Sequence, residues 1–191
     1  ATVRLVSDQS YGPGFTVAVS TADGTAYSPD DYTAVTSQQV SFDGDAGERQ
    51  TVSIQLTGDN LIEGDETFTV SMSNPSNSEV LNISDTAVVT ITDDDTATVT
   101  IADNSSLEDS GTVSVTLSLD KAVQGGFTLD VFTDNGSAST GDSDFTALSG
   151  VAQTVTFSGN AGESQTVSIS LTADSKLEDD EQFSVRMSNS S

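Results

Sequence analysis

The sequence predicts an all-β chain: two tandem immunoglobulin-like antiparallel β-sandwiches arranged end to end. Three observations carry that expectation. Apolar residues alternate with Ser, Thr and acids in short runs, no stretch shows a helical apolar face, and the second half repeats the first in the same order. About a third of the 191 residues are apolar, enough to build a core in each half.

In chain order the clearest period-two runs are Val52, Ile54, Leu56; Phe68, Val70, Met72; Val113, Val115, Leu117, Leu119; Phe127, Leu129, Val131; Val167, Ile169, Leu171; and Phe183, Val185, Met187. β-Branched and aromatic residues at every second position make half-buried strands with the intervening polar residues in water. Gly, Asn and Asp clusters separate the runs, and Asp23-Gly24 and Asn135-Gly136 read most simply as turns. Six or seven short strands per copy fit a sandwich with one apolar face of each sheet turned inward. Tyr32 and Phe145, each beside a turn, are expected to plug its core.

The repetition is specific. Asp23-Gly24-Thr25-Ala26, Asp31-Tyr32, Val40-Ser41-Phe42, Ala46-Gly47-Glu48 and Gln50-Thr51-Val52-Ser53-Ile54 are answered by Asn135-Gly136-Ser137-Ala138, Asp144-Phe145, Val155-Thr156-Phe157, Ala161-Gly162-Glu163 and Gln165-Thr166-Val167-Ser168-Ile169. From Phe42 and Phe157 onward the offset is constant at 115 residues. The expected domains are therefore 1–95 and 96–191. Between them Asp93-Asp94-Asp95 joins two strand-like runs with no flexible Gly/Ser linker, which is why an end-to-end rod is expected. Aligning Phe15 with Phe127 leaves the first copy without a first strand and the second without a last one. Such open sheet edges are expected to take strands from adjacent repeats of the same protein or from neighbouring chains.

Composition excludes much chemistry. With no Cys and no His, the chain offers no thiolate nucleophile, no Ser/His/Asp relay, no disulfide framework and no soft-metal site. Thirty acids against five bases give a net charge of -25, which repels nucleic acid and anionic membrane surfaces alike, so neither is an expected partner. Only hard, oxygen-ligated cations remain.

The acids recur where strands end: Asp31, Asp59, Glu63, Glu66 and Asp93, Asp94, Asp95 in the first copy, and Glu108, Asp144, Asp174, Glu178 and Glu181 in the second. If the fold gathers them at one tip, like charges about 4 Å apart repel by roughly 4 kcal/mol at an effective dielectric of about 20. Ca²⁺ resolves that conflict by taking six to eight oxygens at about 2.3–2.6 Å, whereas Mg²⁺ keeps its waters and demands a near-ideal octahedron. Solvation alone also accounts for acidic strand ends, and most readily for the Asp93 to Asp95 run. Glu48 and Glu163 follow Gly in a hairpin away from this tip and fall outside the site. Asn82, Asn104, Asn135 and Asn189 open Asn-x-Ser/Thr triplets, which chance in so Ser- and Thr-rich a chain explains as well as glycosylation does.

The same residues resemble the Calx-beta family, the repeats of sodium/calcium exchanger regulatory loops and of large bacterial surface proteins. The resemblance rests on Asp23-Gly24-Thr25-Ala26 through Asp31-Tyr32, on Phe42 with Gly47-Glu48, on Asp59 with Glu63, Asp65, Glu66 and Phe68, on Met72-Ser73-Asn74 and on Thr90 to Asp95. It implies Ca²⁺ ligands at Asp31, Asp59, Glu63, Glu66, Asp93, Asp94 and Asp95, and at Glu108, Asp144, Asp174, Glu178 and Glu181. Two departures weaken the implied sites. Gly58 and Ala173 stand where calcium-binding members carry the first of two adjacent Asp residues.

The functional expectation is a calcium-binding structural repeat of a long extracellular or cell-surface protein, such as an adhesin, matrix protein or filament, with Ca²⁺ rigidifying the interdomain junction. A regulatory calcium-sensing module is the first alternative and a carbohydrate-binding accessory domain the second. No enzyme is expected. Glu63 and Glu66, three residues apart at a strand start, are expected on opposite faces, and the aromatic platform of a sugar site is thin in a chain with no Trp and three Tyr.

Overall fold

The alternating runs become strands because each buries one face and leaves the other in water. The computed structural model describes residues 1–77, 81–148 and 153–189; the triplet that opens at Asn189 ends outside them. The chain divides into two compact units, Ala1–Asp59 with Gly64–Asp93, and Asn60–Glu63 with Asp94–Ser191. No helix among the described residues is long and apolar enough to cross a membrane.

The first unit contains β1 (Thr2–Val6), β2 (Phe15–Asp23), β3 (Gln38–Phe42), β4 (Arg49–Ser53), β5 (Glu66–Ser73) and β6 (Thr86–Ile91). β1 pairs with β4, and a second antiparallel sheet runs in the order β3-β2-β5-β6. The second unit contains β7 (Val99–Ile101), β8 (Thr112–Leu119), β9 (Phe127–Asp134), β10 (Gln153–Phe157), β11 (Ser164–Ser170) and β12 (Ser184–Asn189). Its sheets run β11-β8-β7 and β10-β9-β12, again antiparallel. The helical content among the described residues is a single 3-10 turn, Glu108–Ser110. By the internal repeat β1 to β5 answer to β8 to β12. β6 in the first unit and β7 in the second have no counterpart in the other unit among the described residues.

Periodicity sets the register. Along β8, Val113, Val115, Leu117 and Leu119 are buried, while Ser114 and Ser118 on the other face meet Ser168 and Ser164 of β11 at 3.0 and 3.1 Å. A one-residue slip would turn that whole apolar row to solvent, at about 1.5–3 kcal/mol per aliphatic side chain. The cores form around Val17, Val19, Val52 and Phe68 in the first unit and Leu117, Val131, Phe157 and Val167 in the second. Ile54 and Leu56, placed by their period in the same strand as Val52, lie beyond the end of β4, Leu56 in an isolated bridge to Tyr32.

Glu48 and Glu163 hold the hairpins that join β3 to β4 and β10 to β11. The Glu163 carboxylate accepts the N–H groups of Ser158, Gly159 and Asn160 at 3.0, 3.1 and 3.3 Å, and Gln165 Nε2 at 2.9 Å. These bonds, that from Ser158 foremost, hold its pKa down at about 2. Glu48 is held low in the same way, chiefly by the Asp43 N–H.

A carboxyl group whose pKa is depressed on folding adds stability above its unfolded value near 4.3, and that contribution disappears as pH falls toward the folded value. Thermal melts between pH 7 and pH 2 are therefore expected to show Glu163→Gln less stable than the parent at neutral pH and closing that gap as pH falls from about 5 to about 2. Parallel curves for the two proteins across that window would refute the clamp.

Candidate metal centre

Two pairs of stacked rings place the acids. Asp144 directly precedes Phe145, and Glu181 stands two residues before Phe183. Phe145 is buried and stacks on Phe183 with centroids 4.2 Å apart. Joining the rings inside the sandwich brings the two acids out side by side. In the first unit Tyr32 stacks on Phe68 at 4.1 Å and does the same for Asp31 and Glu66. The expectation that Tyr32 and Phe145 plug the core is met, with exposures of 0 % and 3 %.

Backbone bonds finish the placement. Asp144 Oδ2 accepts the Ser139 N–H at 2.7 Å, the Asp144 N–H donates to the Ser139 carbonyl at 3.1 Å, and the Asp144 carbonyl accepts from Thr172 at 3.0 Å. Asp31 repeats this pattern with Tyr27 at 2.6 and 2.9 Å and Thr57 at 2.9 Å. The loop ahead of each acid is pinned to the segment before the paired Phe: Ala138 N–H donates to the Gln182 carbonyl at 3.0 Å and Ala26 N–H to the Thr67 carbonyl at 2.9 Å. Only Gly fits beside these carbonyls, since a Cβ on Gly136 would lie 2.2 Å from the Gln182 oxygen and one on Gly24 2.4 Å from that of Thr67.

One carboxylate oxygen from each of Asp144, Glu178 and Glu181 lies within 4.8 Å of the others. Asp144 is half-buried, and the two Glu residues are exposed. The pKa of Glu181 is pushed up, first by desolvation and then by the charges of Asp144 and Glu178, the mark of negative groups crowded without full compensation. Glu178 and Glu181 converge because they lie in the loop ahead of β12, which begins only at Ser184. In the first copy Glu66 opens β5 and Glu63 lies ahead of it, so the alternation that predicts opposite faces for these two does not reach Glu63.

A second acid pair adjoins the cluster. Glu108, in the 3-10 turn, accepts the Asp174 N–H at 2.6 Å. Lys176 Nζ lies 3.4 Å from Asp174 Oδ2 and 3.4 Å from Glu178 Oε1. Its pKa is raised, most by the bond to Asp174 and next by the charge of Glu178. Sequence reading passed over Lys176, although a lone base inside an acid run was the available signal. The corresponding residue of the first copy is Leu61.

The remaining candidates occupy different settings. Asp31 and Glu66, both of the first unit, present carboxylate oxygens within 4.8 Å of each other. Asp59 is exposed on the loop that follows Leu56. Glu63 lies on the 60–63 segment of the second unit, where its Oε1 accepts Gln124 Nε2 at 3.0 Å. Asp93 is half-buried after β6, Asp94 is exposed, and Asp95 forms an ion pair with Lys121 at 3.0 Å.

The Asp144 group thus offers oxygen donors only, with one face open to solvent, and so suits a hard cation that keeps some of its water. An all-β tandem whose loops gather carboxylates in this way defines a class of metal-binding sandwich repeat. The family model of the Calx-beta domain matches residues 1–105 and again 93–191, and the chain belongs to the Calx-beta domain family. Among solved structures, CBD12 from CALX1.2 is 22 % identical, with 98 % of this chain and 73 % of that one covered at a TM-score of 0.44. The calcium binding domain CBD12 of CALX1.1 is 22 % identical over 98 % and 71 % with a TM-score of 0.46, and the apo form of the Calx CBD1 domain is 30 % identical over 50 % and 82 % with 0.42. No curated protein sequence matches the chain.

Two outcomes follow from this geometry. Gly136→Ala is expected to cost about 1–3 kcal/mol in a denaturant titration, because its methyl group must displace backbone. Glu181→Gln, which removes one of three crowded charges, is expected to melt at a higher temperature than the parent in chelator at neutral pH; a lower melting temperature would show that the acids are not in conflict.

Proposed function

We propose that this chain is a calcium-binding structural repeat of a long extracellular or cell-surface protein. The ion would sit at Asp144, Glu178 and Glu181, with Asp174 and Glu108 beside them, and in the first unit at Asp31 and Glu66. The observation that carries this reading is the mutual approach of three carboxylates, with the Glu181 pKa pushed up by its neighbours. Calcium suits a partly exposed carboxylate site better than magnesium because it takes six to eight oxygens, water included, in variable geometry, whereas magnesium demands a near-ideal octahedron. Calcium binding is also what the printed name of the CALX1.1 domain states for that relative.

The affinity should be low. Ala173 and Gly58 each remove a carboxylate that calcium-binding members of the family carry, and Lys176 competes for Asp174 and Glu178. An exposed lysine pair is weak, so a divalent ion at sufficient concentration displaces it. The expected dissociation constant falls in the range of extracellular modules, about 10⁻⁴ to 10⁻³ M. That range favours a stabilising role where calcium is abundant over a cytosolic sensor. At free calcium about a hundredfold above the dissociation constant, one site adds about 2.7 kcal/mol to the stability of its unit.

Thermal melts in calcium and in chelator test the proposal. The parent is expected to melt roughly 10 °C higher in saturating calcium, and Glu178→Gln to lose most of that rise. An unchanged melting temperature in the parent would sink the reading. Calorimetric titration to submicromolar affinity would replace the structural role with a sensor.

A further inference from the structure

The second unit carries one long strand edge that no charge guards. β11 is an outer strand of the sheet β11-β8-β7 and, at seven residues, the longest outer strand among the described residues. Leu119 N–H donates to the Glu163 carbonyl and Leu171 N–H to the Gly111 carbonyl, both at 2.9 Å. Antiparallel ladders alternate, so the odd-numbered residues of β11 face β8, and the N–H and C=O groups of Ser164, Thr166, Ser168 and Ser170 face away from it. Thr146 N–H donates to the Ser170 carbonyl at 2.9 Å, which covers that end and leaves Ser164, Thr166 and Ser168 along the outer edge.

Residues 164–173 carry no charge, in a chain whose net charge is -25. Val167 and Ile169 turn into the core, while Ser164, Thr166 and Ser168 are exposed beside Ser118, Thr116 and Ser114 of β8. The first copy differs at this place. There the Gln55 carbonyl turns away from β1 to accept the Thr33 N–H at 2.9 Å, so the odd-numbered Arg49, Thr51 and Ser53 line the outer edge of β4. By the offset of 115 residues, Arg49 stands where the second copy has Ser164. A charged side chain or a Pro on an outer strand keeps edges from pairing, and β11 has neither.

We propose that the β11 edge at residues 164–168 is a self-association site, which takes the same edge of a second copy of this chain, antiparallel and centred on Thr166. Ser164 of each copy would lie opposite Ser168 of the other, and two three-stranded sheets would join into one of six. A two-fold contact of this kind must be self-complementary. The edge meets that demand: its outward main-chain groups pair with themselves under the two-fold, and its exposed side chains are hydroxyls of the sort that already meet across β8 and β11, Ser114 with Ser168 and Ser118 with Ser164. Electrostatics selects this occupant and this place. A second copy brings its own charge of -25, so it can approach closely only where no acids oppose each other, and an uncharged strand supplies that. The remaining repulsion between whole molecules is screened by salt. Association at this edge therefore strengthens as ionic strength rises, the reverse of a contact held by ion pairs. Main-chain bonds supply its affinity.

The test uses the full chain in chelator, so that calcium plays no part in the readout. Sedimentation equilibrium is run at about 0.05 and 0.5 M salt, and amide hydrogen exchange is followed at Ser164, Thr166 and Ser168 as the protein is concentrated. The expected result is a reversible dimer, at least tenfold tighter at the higher salt, with slower exchange at those three amides. Two variants check the edge. Thr166→Pro removes an outward N–H and no bond to β8, and Ser164→Arg restores the guard that the first copy's fold already accepts at Arg49. Each is expected to weaken the dimer at least tenfold, with the melting temperature of the dilute Ser164→Arg chain unchanged. A chain that stays monomeric to millimolar concentration at both salts overturns the proposal. A dimer that Ser164→Arg leaves intact, or one that weakens as salt is added, overturns the β11 pairing in favour of another contact.

Discussion

Ring stacking inside each sandwich is the interaction on which the candidate metal centre depends. Phe145 on Phe183, and Tyr32 on Phe68, are core contacts that water exclusion would maintain with no ion present. Because an acid adjoins one ring of each pair and another stands two residues before its partner, packing the rings forces the acids together. Hydrophobic burial therefore supplies the work of assembling like charges, and the residual conflict is visible in Glu181, whose pKa is raised by desolvation and by Asp144 and Glu178. A site built this way is positioned before any cation arrives.

Internal bases relieve that conflict only in part. Of the five, Lys121 meets Asp95, Lys176 meets Asp174 and Glu178, and Arg186 meets Asp134. The Lys176 and Arg186 pairs are largely exposed, where screening and side-chain entropy leave little net energy, and the Lys121–Asp95 pair is half-buried. The Glu48 and Glu163 carboxylates are satisfied differently, by backbone N–H groups, and their pKa values fall where that of Glu181 rises. The contrast separates acids satisfied by the backbone from an acid crowded by its neighbours.

The two copies act as a controlled comparison within one chain. Tyr32 donates its hydroxyl to Asp23 at 2.6 Å, and in the second copy Phe145 and Asn135 replace the pair together. Removing the hydroxyl without its acceptor would have left a carboxylate beside the core with one partner fewer. Loss of Leu61 in favour of Lys176 gives the second acid group an internal cation that the first copy's sequence lacks. Differences of this kind tune electrostatics while the stacked rings and the glycine contacts at Gly24 and Gly136 stay the same.

Much of the architecture was legible in the residues. Strands, their inward faces and the plugging rings follow from period two and from the duplicated order, since both are local properties of the chain. The role of Glu48 and Glu163 outside the acid cluster also followed from their place after a hairpin Gly. Lys176, the Asp95–Lys121 pair and the bond from the Asp174 N–H to Glu108 were not legible, because each joins a loop to a neighbour that sequence order does not announce. The sequence by itself determined that the chain is a doubled β-sandwich with acids at its strand ends, because alternation and repetition are written residue by residue. Only the tertiary structure decided which carboxylates meet, because that depends on distances across a packed core that no one-dimensional pattern encodes.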